Sequence, residues 1–161
     1  MQQQKQKIIP CLWFDGQAEE AVRHYATIFK SVKTLDVMRY GDVGPGKPGS
    51  VLTITFEIDG QELMGLNGGP NFKFNEAISF VVNCQTQAEV DELWEKLSAG
   101  GAKSQCGWLK DKFGVSWQIV PVSLVELLRT KDAAATGRMM AALMQMTKLD
   151  IEALKRAYEG R

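Results

Sequence analysis

Residues Gly41 to Lys47 read GDVGPGK, the G-x-x-x-x-G-K spacing of a phosphate-binding loop. Such a loop needs a Ser or Thr hydroxyl after its Lys to hold Mg²⁺, and then a helix whose N-terminal amides face the anion. Pro48 stands at the hydroxyl position, and Pro45 and Pro48 each withhold an N–H from the loop. The following SVLTITFEI alternates as a strand does. These residues exclude a nucleotide site and predict a mobile strand-to-strand loop. His24 is the one histidine, at the edge of a helix's apolar face; a half-exposed surface residue fits it better than a general base. Cys11, Cys84 and Cys106 are odd in number and lack C-x-x-C spacing, so neither zinc nor a disulfide framework is expected. Nothing near Cys11 in sequence would lower its pKa, which favours a small apolar residue over a nucleophile. Trp13, Trp108 and Trp117 could stack a planar ligand if their strands line a concave sheet, or could simply fill a core. Trp117 reads as core; Trp13 stays open between the two.

Composition narrows the function classes. Nineteen basic residues balance nineteen acidic ones, so no overall charge favours nucleic acid or an anionic membrane. No apolar run reaches the length of a membrane span, and MQQQKQK has no apolar segment behind it, so no signal peptide is expected. Free thiols point to a reducing, cytoplasmic setting. At 161 residues and 45% hydrophobic, the chain predicts one domain with a sizeable core, possibly of two similar halves.

The elements that must carry these residues repeat. In the first half, strands are predicted at 7–14, 32–40, 50–58 and 61–67, with a helix at 17–30 after the first. Asp59-Gly60 is a hairpin signal between the last two. In the second half a strand at 75–84 leads to a helix at 86–101, opened by a Thr86/Glu89 capping box and stopped at Gly100-Gly101. Short extended pieces around 103–106 and 107–110 and a strand at 115–121 complete it. Both halves read β-α-β-β-β, with NGGPNFKFN (67–75) as the seam. The tail is helical: a capping box at Ser123/Glu126, a segment 137–146, and a last helix capped by Asp150 and ended by Gly160. Its methionines, at 139, 140, 144 and 146, suit packing onto the body or a partner subunit.

The tandem units, the stretch P-C-L-W-F-D-G (10–16), A-x-x-H-Y-x-x-x-F on the first helix, and D-K-F-G-V-S-W-Q-I-V-P (111–121) together resemble a known group. The chain resembles PhnB-like proteins of the glyoxalase / bleomycin-resistance / extradiol dioxygenase (vicinal oxygen chelate) superfamily, a group that often carries a 3-demethylubiquinone 3-methyltransferase label. The resemblance covers about residues 7–121. It implies an α+β fold of paired βαβββ modules (7–67 and 75–121), their mixed sheets curled around a cavity, with 122–161 as a helical extension. It also implies a homodimer. Metal-using members hold a divalent ion on four strands, at positions that align here with Ile9, Met64, Ala77 and Gln118. Hard divalent ions want carboxylates, imidazoles or several oxygens, and this set supplies one amide. A slip of one residue adds only Glu76 as a good ligand. No metal and no cofactor is therefore expected, and no G-x-G between strand and helix supports S-adenosylmethionine.

What remains is metal-free binding of a small apolar or aromatic molecule in the sheet cavity. The candidate lining is Ile9, Cys11, Trp13, Met64, Asn67, Ala77, Ser79 and Gln118, with Gln118, Asn67, Ser79 and Glu62 as polar anchors. Cys11 should share a face with Ile9 and Trp13 while Leu12 and Phe14 face the helix. The alternative is an enzyme of the same superfamily using a carboxylate or Cys11 without metal; a third reading is an assembly subunit contacting partners through its methionine-rich tail. In the resembled fold the 41–49 loop becomes a lid or rim, with Lys47 as an occasional contact to an anionic ligand.

Overall fold

The structure, a computed structural model, describes residues 6–161. The stretch 1–5, part of the polar start read as carrying no signal peptide, lies outside them. The chain forms two compact units that divide between Phe74 and Asn75.

The first unit runs β1 (Cys11–Phe14), α1 (Ala18–Ala26), β2 (Val32–Arg39), β3 (Val51–Ile58), β4 (Gln61–Asn67). Its sheet has the order β1-β4-β3-β2, with β1 parallel to β4 and the other pairs antiparallel. Alternation decides its faces. Leu12 and Phe14 are buried beneath α1, whose Ala18, Ala21, Val22 and Tyr25 are buried in turn, while Cys11 is exposed and Trp13 half-buried. Gly65 lets the helix sit close: a Cβ there would lie 3.1 Å from both the Ala18 Cβ and Ile54 Cγ2. Asp59 and Gly60 turn β3 into β4 with positive φ at both residues, as a tight two-residue hairpin requires. Gln17 offers no side-chain cap to α1. The Asn67 amide does so from the end of β4, accepting from Ala18 N–H at 2.9 Å and donating to the Val51 carbonyl at 3.0 Å.

The second unit repeats the order. β5 (Phe80–Cys84), α2 (Gln87–Ser98), β6 (Ala102–Lys103), β7 (Trp108–Lys110) and β8 (Ser116–Pro121) form a sheet β5-β8-β7-β6. Val90, Leu93, Trp94 and Leu97 of α2 are buried, as are Leu109, Trp117 and Ile119. Thr86 Oγ1 accepts from Glu89 N–H, and the Glu89 carboxylate accepts from Gln85 N–H. The β7–β8 turn is built on a buried carboxylate. Asp111 Oδ1 accepts from Phe113 N–H (2.9 Å) and Val115 N–H (3.0 Å), and Oδ2 from the Trp117 indole (2.9 Å).

Helices α3 (Val122–Leu128), α4 (Ala133–Leu143) and α5 (Ile151–Glu159) follow and belong to this unit. Leu124, Met139, Leu143, Leu149 and Leu154 make their core. Cys106 N–H and Gly107 N–H donate to the carbonyls of Met146 and Thr147, and Gln87 on α2 hydrogen-bonds both Leu149 C=O and Ile151 N–H.

Several boundaries differ from the sequence reading. β1 starts at Cys11, so Ile9 precedes the strand; pairing on its side ends with the Pro10 carbonyl, which accepts from Met64 N–H. α1 stops at Ala26, where Thr27, Ile28 and Phe29 N–H turn back onto the His24 and Tyr25 carbonyls. β5 starts at Phe80, and Ala77 sits in a turn where its N–H is taken by Asn75 Oδ1. The Ser123 capping box does not form: the chain passes from β8 directly into α3, and Pro121 occupies the cap position. α4 begins four residues before Gly137 because the Asp132 carboxylate caps it at Ala135 N–H. Asp150 and Gly160 bound α5 as predicted.

Asp111→Ala leaves three buried or half-buried N–H donors without this acceptor. It should cost about 3 kcal/mol of stability in urea unfolding. A loss under about 0.5 kcal/mol would mean those donors find other partners.

Candidate functional site

Trp117 and Ile119 point under α2, so Ser116 and Gln118 lie on the opposite face of the second sheet, whose Val120 packs against the C-terminal helices. Register carries this face across the hairpin: Lys110 pairs with Ser116, and Trp108 with Gln118. Next to it opens a cavity of about 510 Å³, lined among others by Glu76, Cys106, Trp108, Lys110 and Ser116. The Ser116 hydroxyl is buried and has no hydrogen-bond partner among the described residues. Lys110 Nζ lies 2.6 Å from Glu76 Oε1. That hydrogen bond, more than the ammonium charge, holds the Glu76 carboxyl below its ordinary range.

The residues singled out from sequence are distributed as follows. On the first sheet Cys11 faces Met64 in register, on the face away from α1, and Met64 is half-buried. Trp13 shares that face, but its indole N–H donates to the Gly69 carbonyl at 2.8 Å, and its ring meets Phe72 edge-on at 4.9 Å. Ile9 is half-buried ahead of the strand. Asn67 lies on the helix side, with its amide committed to Ala18 and Val51. On the second sheet Gln118 Nε2 donates to Ser79 Oγ at 2.9 Å, whereas Ala77 is exposed in its turn. None of these eight residues lines the cavity of the second unit. Ser116 and Lys110 were missed, although Ser116 has the parity of Gln118 and could have been found two residues before it.

A second cleft, about 390 Å³, belongs to the first unit and is lined among others by Tyr40, Lys47, Asn67 and Gly69. Here the 41–49 loop lies over the Tyr40 ring: a Cβ on Gly46 would fall 2.2 Å from it. Tyr40 N–H and C=O hydrogen-bond Ser50 and Gly49, and its hydroxyl donates to the Asn67 carbonyl at 2.7 Å. The glycine spacing that resembled a phosphate loop serves this aromatic contact.

Desolvation of the Cys11 sulfur pushes its thiol up, the direction opposite to that of an activated thiolate. Cys84 is fully buried; burial first, and the Glu89 carboxylate second, push it up to about 12.

Two βαβββ units with the same 1-4-3-2 strand order, each with one helix between its first two strands in sequence, define an α+β protein of paired βαβββ modules. The chain belongs to the PhnB-like family described as 3-demethylubiquinone-9 3-methyltransferase, whose model matches residues 6–120. It is similar to the PhnB protein from Bacillus cereus, with 39% identity and a TM-score of 0.66, over 73% of this chain and 100% of that one. It is similar in fold to the protein PA1353 from Pseudomonas aeruginosa (20% identity, TM-score 0.60, 73% and 98% coverage). A looser likeness is to a glyoxylase/bleomycin resistance protein/dioxygenase domain from Frankia sp. EAN1pec (16% identity, TM-score 0.47, 71% and 95% coverage). No curated protein matches the chain.

The metal that the sequence resemblance implies and the S-adenosylmethionine that a methyltransferase description implies do not suit the residues present. Met64 brings a thioether, Gln118 a single amide oxygen, and Ile9 and Ala77 no side-chain donor, so the set offers a hard divalent cation one oxygen where it wants several. Among the described residues no three of His, Cys, Asp and Glu converge as a metal site. S-adenosylmethionine fares no better. β1 enters α1 through Asp15-Gly16-Gln17 and β5 enters α2 through Gln85-Thr86, and neither is a glycine-rich turn.

The Cys84 shift has a pH signature. A folded-state value above the unfolded one, near 9, stabilises the fold below that value and is lost as pH rises from about 9 towards about 12. Melting temperature should therefore fall more steeply over that alkaline window in the native protein than in Cys84→Ala. Parallel curves would show that Cys84 ionises in the folded protein as freely as in the unfolded one.

Proposed function

We propose that the protein is a metal-free binder of a small molecule with an apolar or aromatic body, held on the face of the second sheet away from α2. The observation that carries this reading is the roughly 510 Å³ cavity beside Trp108, apolar in part and furnished with a few polar side chains. Small-molecule sites have this size and this mixture of an apolar wall with sparse orienting groups. Gln118 stands one register step away, across from Trp108, and is held by Ser79. Trp108, rather than Trp13, is the aromatic wall in this reading, because the Trp13 ring is occupied by Gly68, Gly69 and Phe72 of its own unit.

A homodimer is part of the same proposal. Leu35, Val37 and Met38 on the edge strand β2 are exposed, an apolar edge that a second copy would cover. A reducing, cytoplasmic setting agrees with three free thiols.

A thermal-shift screen of flat aromatic compounds against the full chain should find ligands, and Trp108→Ala should weaken a hit about tenfold while Trp13→Ala leaves its affinity within about twofold. Hits that ignore Trp108 would place the ligand elsewhere. Sedimentation equilibrium should give twice the 17.9 kDa chain mass; a monomer at micromolar concentration would remove the dimer.

A further inference from the structure

We propose that the cavity of the second unit is a carboxylate site: it takes a small aryl or alkyl organic acid whose carboxylate replaces that of Glu76 on Lys110 and accepts a hydrogen bond from Ser116. This rests on the binding reading above and names the ligand's chemical class.

Ser116 is the first observation. It is only 2% exposed, it lines the cavity, and its hydroxyl meets no partner among the described residues. Buried polar groups are almost always satisfied, and an exception next to a cavity points to a missing acceptor or donor. The second observation is what stands beside it. Lys110 is the register partner of Ser116, and directly opposed side chains on one sheet face have Cβ atoms about 5 Å apart. Lys110 already binds a carboxylate, but a replaceable one. Glu76 comes from the turn ahead of β5 and its side chain is 62% exposed, so the pair is a surface pair of small net value. A ligand acid can take its place on the ammonium and offer its second oxygen to the hydroxyl.

The remaining lining fits the rest of such a molecule. Trp108 precedes Lys110 by two residues on β7 and therefore shares its face, giving the organic body an aromatic surface. The other cavity cation, Lys103, pairs with Glu95 at 2.8 Å in a bridge as exposed as that of Lys110, but it is in register with Leu109, which leaves Lys110 as the cation opposite Ser116. A neutral ligand would satisfy Ser116 without using the lysine, and a cationic ligand would face two lysines. Glu76 thus acts as an internal stand-in for the ligand's acid group.

The test compares 2-naphthoate with 2-naphthamide by isothermal titration calorimetry on the full chain at pH 7 and low salt. Naphthoate should bind at least about tenfold more tightly than the amide. Ser116→Ala should weaken naphthoate about tenfold and leave the amide within about threefold, Lys110→Met should abolish the preference for the acid, and Glu76→Gln should tighten naphthoate by removing its competitor. The Glu76→Gln variant alters an exposed side chain only, so its effect survives any loss of folding in the others. Equal binding of acid and amide, with Glu76→Gln neutral, would overturn the carboxylate assignment while leaving the binding reading in place. If neither they nor a wider panel of aryl acids and amides bind, both fall.

Discussion

Asp111 is the interaction on which the second unit depends. One carboxylate, 2% exposed, takes two backbone N–H groups of its own turn and the indole N–H of Trp117. Its own N–H and C=O close the same turn with Val115 and Gly114. This pins the pairing of β7 with β8 and seats Trp117 under α2 in a single act. A strand has a side-chain period of two, so a slip of β7 by one residue against β8 would send Lys110 and Trp108 to the helix side, away from Ser116, and destroy the cavity. The first unit sets its own register by different means. There the positive-φ pair Asp59-Gly60 makes the hairpin, and the Asn67 amide ties the end of β4 to the start of α1 and to β3.

Much of this was legible in the sequence, and the limits have physical causes. Period-two alternation at Leu12/Phe14 and Trp117/Ile119 located the helix-covered faces, and Asp59-Gly60, Thr86, Asp150 and Gly160 marked their turns and caps, because each acts through its immediate neighbours. Ala77 misled because an apolar residue in a strand-like run was captured by the Asn75 side chain, a local competition that periodicity does not see. Ser123 misled for the opposite reason: a good capping sequence is useless where the preceding strand delivers the chain already turning. Asp132 was overlooked because the alanines after it carry no amphipathic pattern, yet its carboxylate starts α4.

The candidate site was legible in part. Gln118 and Ser79 stand outside the cavity lining, but Trp108 and the parity that Ser116 shares with Gln118 follow from the sequence. Lys110 and its juxtaposition with Ser116 do not, since they depend on how many residues the Asp111 turn consumes. The near-match to a phosphate loop is a useful contrast. Its glycines are spaced for a tight backbone, but the backbone wraps a tyrosine ring; Gly46 is glycine because the Tyr40 ring occupies the place of a side chain.

The backbone bonds from Cys106 and Gly107 to Met146 and Thr147 carry a further meaning. The family match ends at residue 120, yet these bonds, and the contact of the Leu149 side chain with Gly107, cross that limit. Homology and mechanical integrity therefore draw different boundaries in this chain. A relative that ends where the match ends must close its β6–β7 loop with other atoms. Stability and loop conformation around the cavity are thus properties of this particular chain, to be borrowed from its shorter relatives only with that substitution in mind.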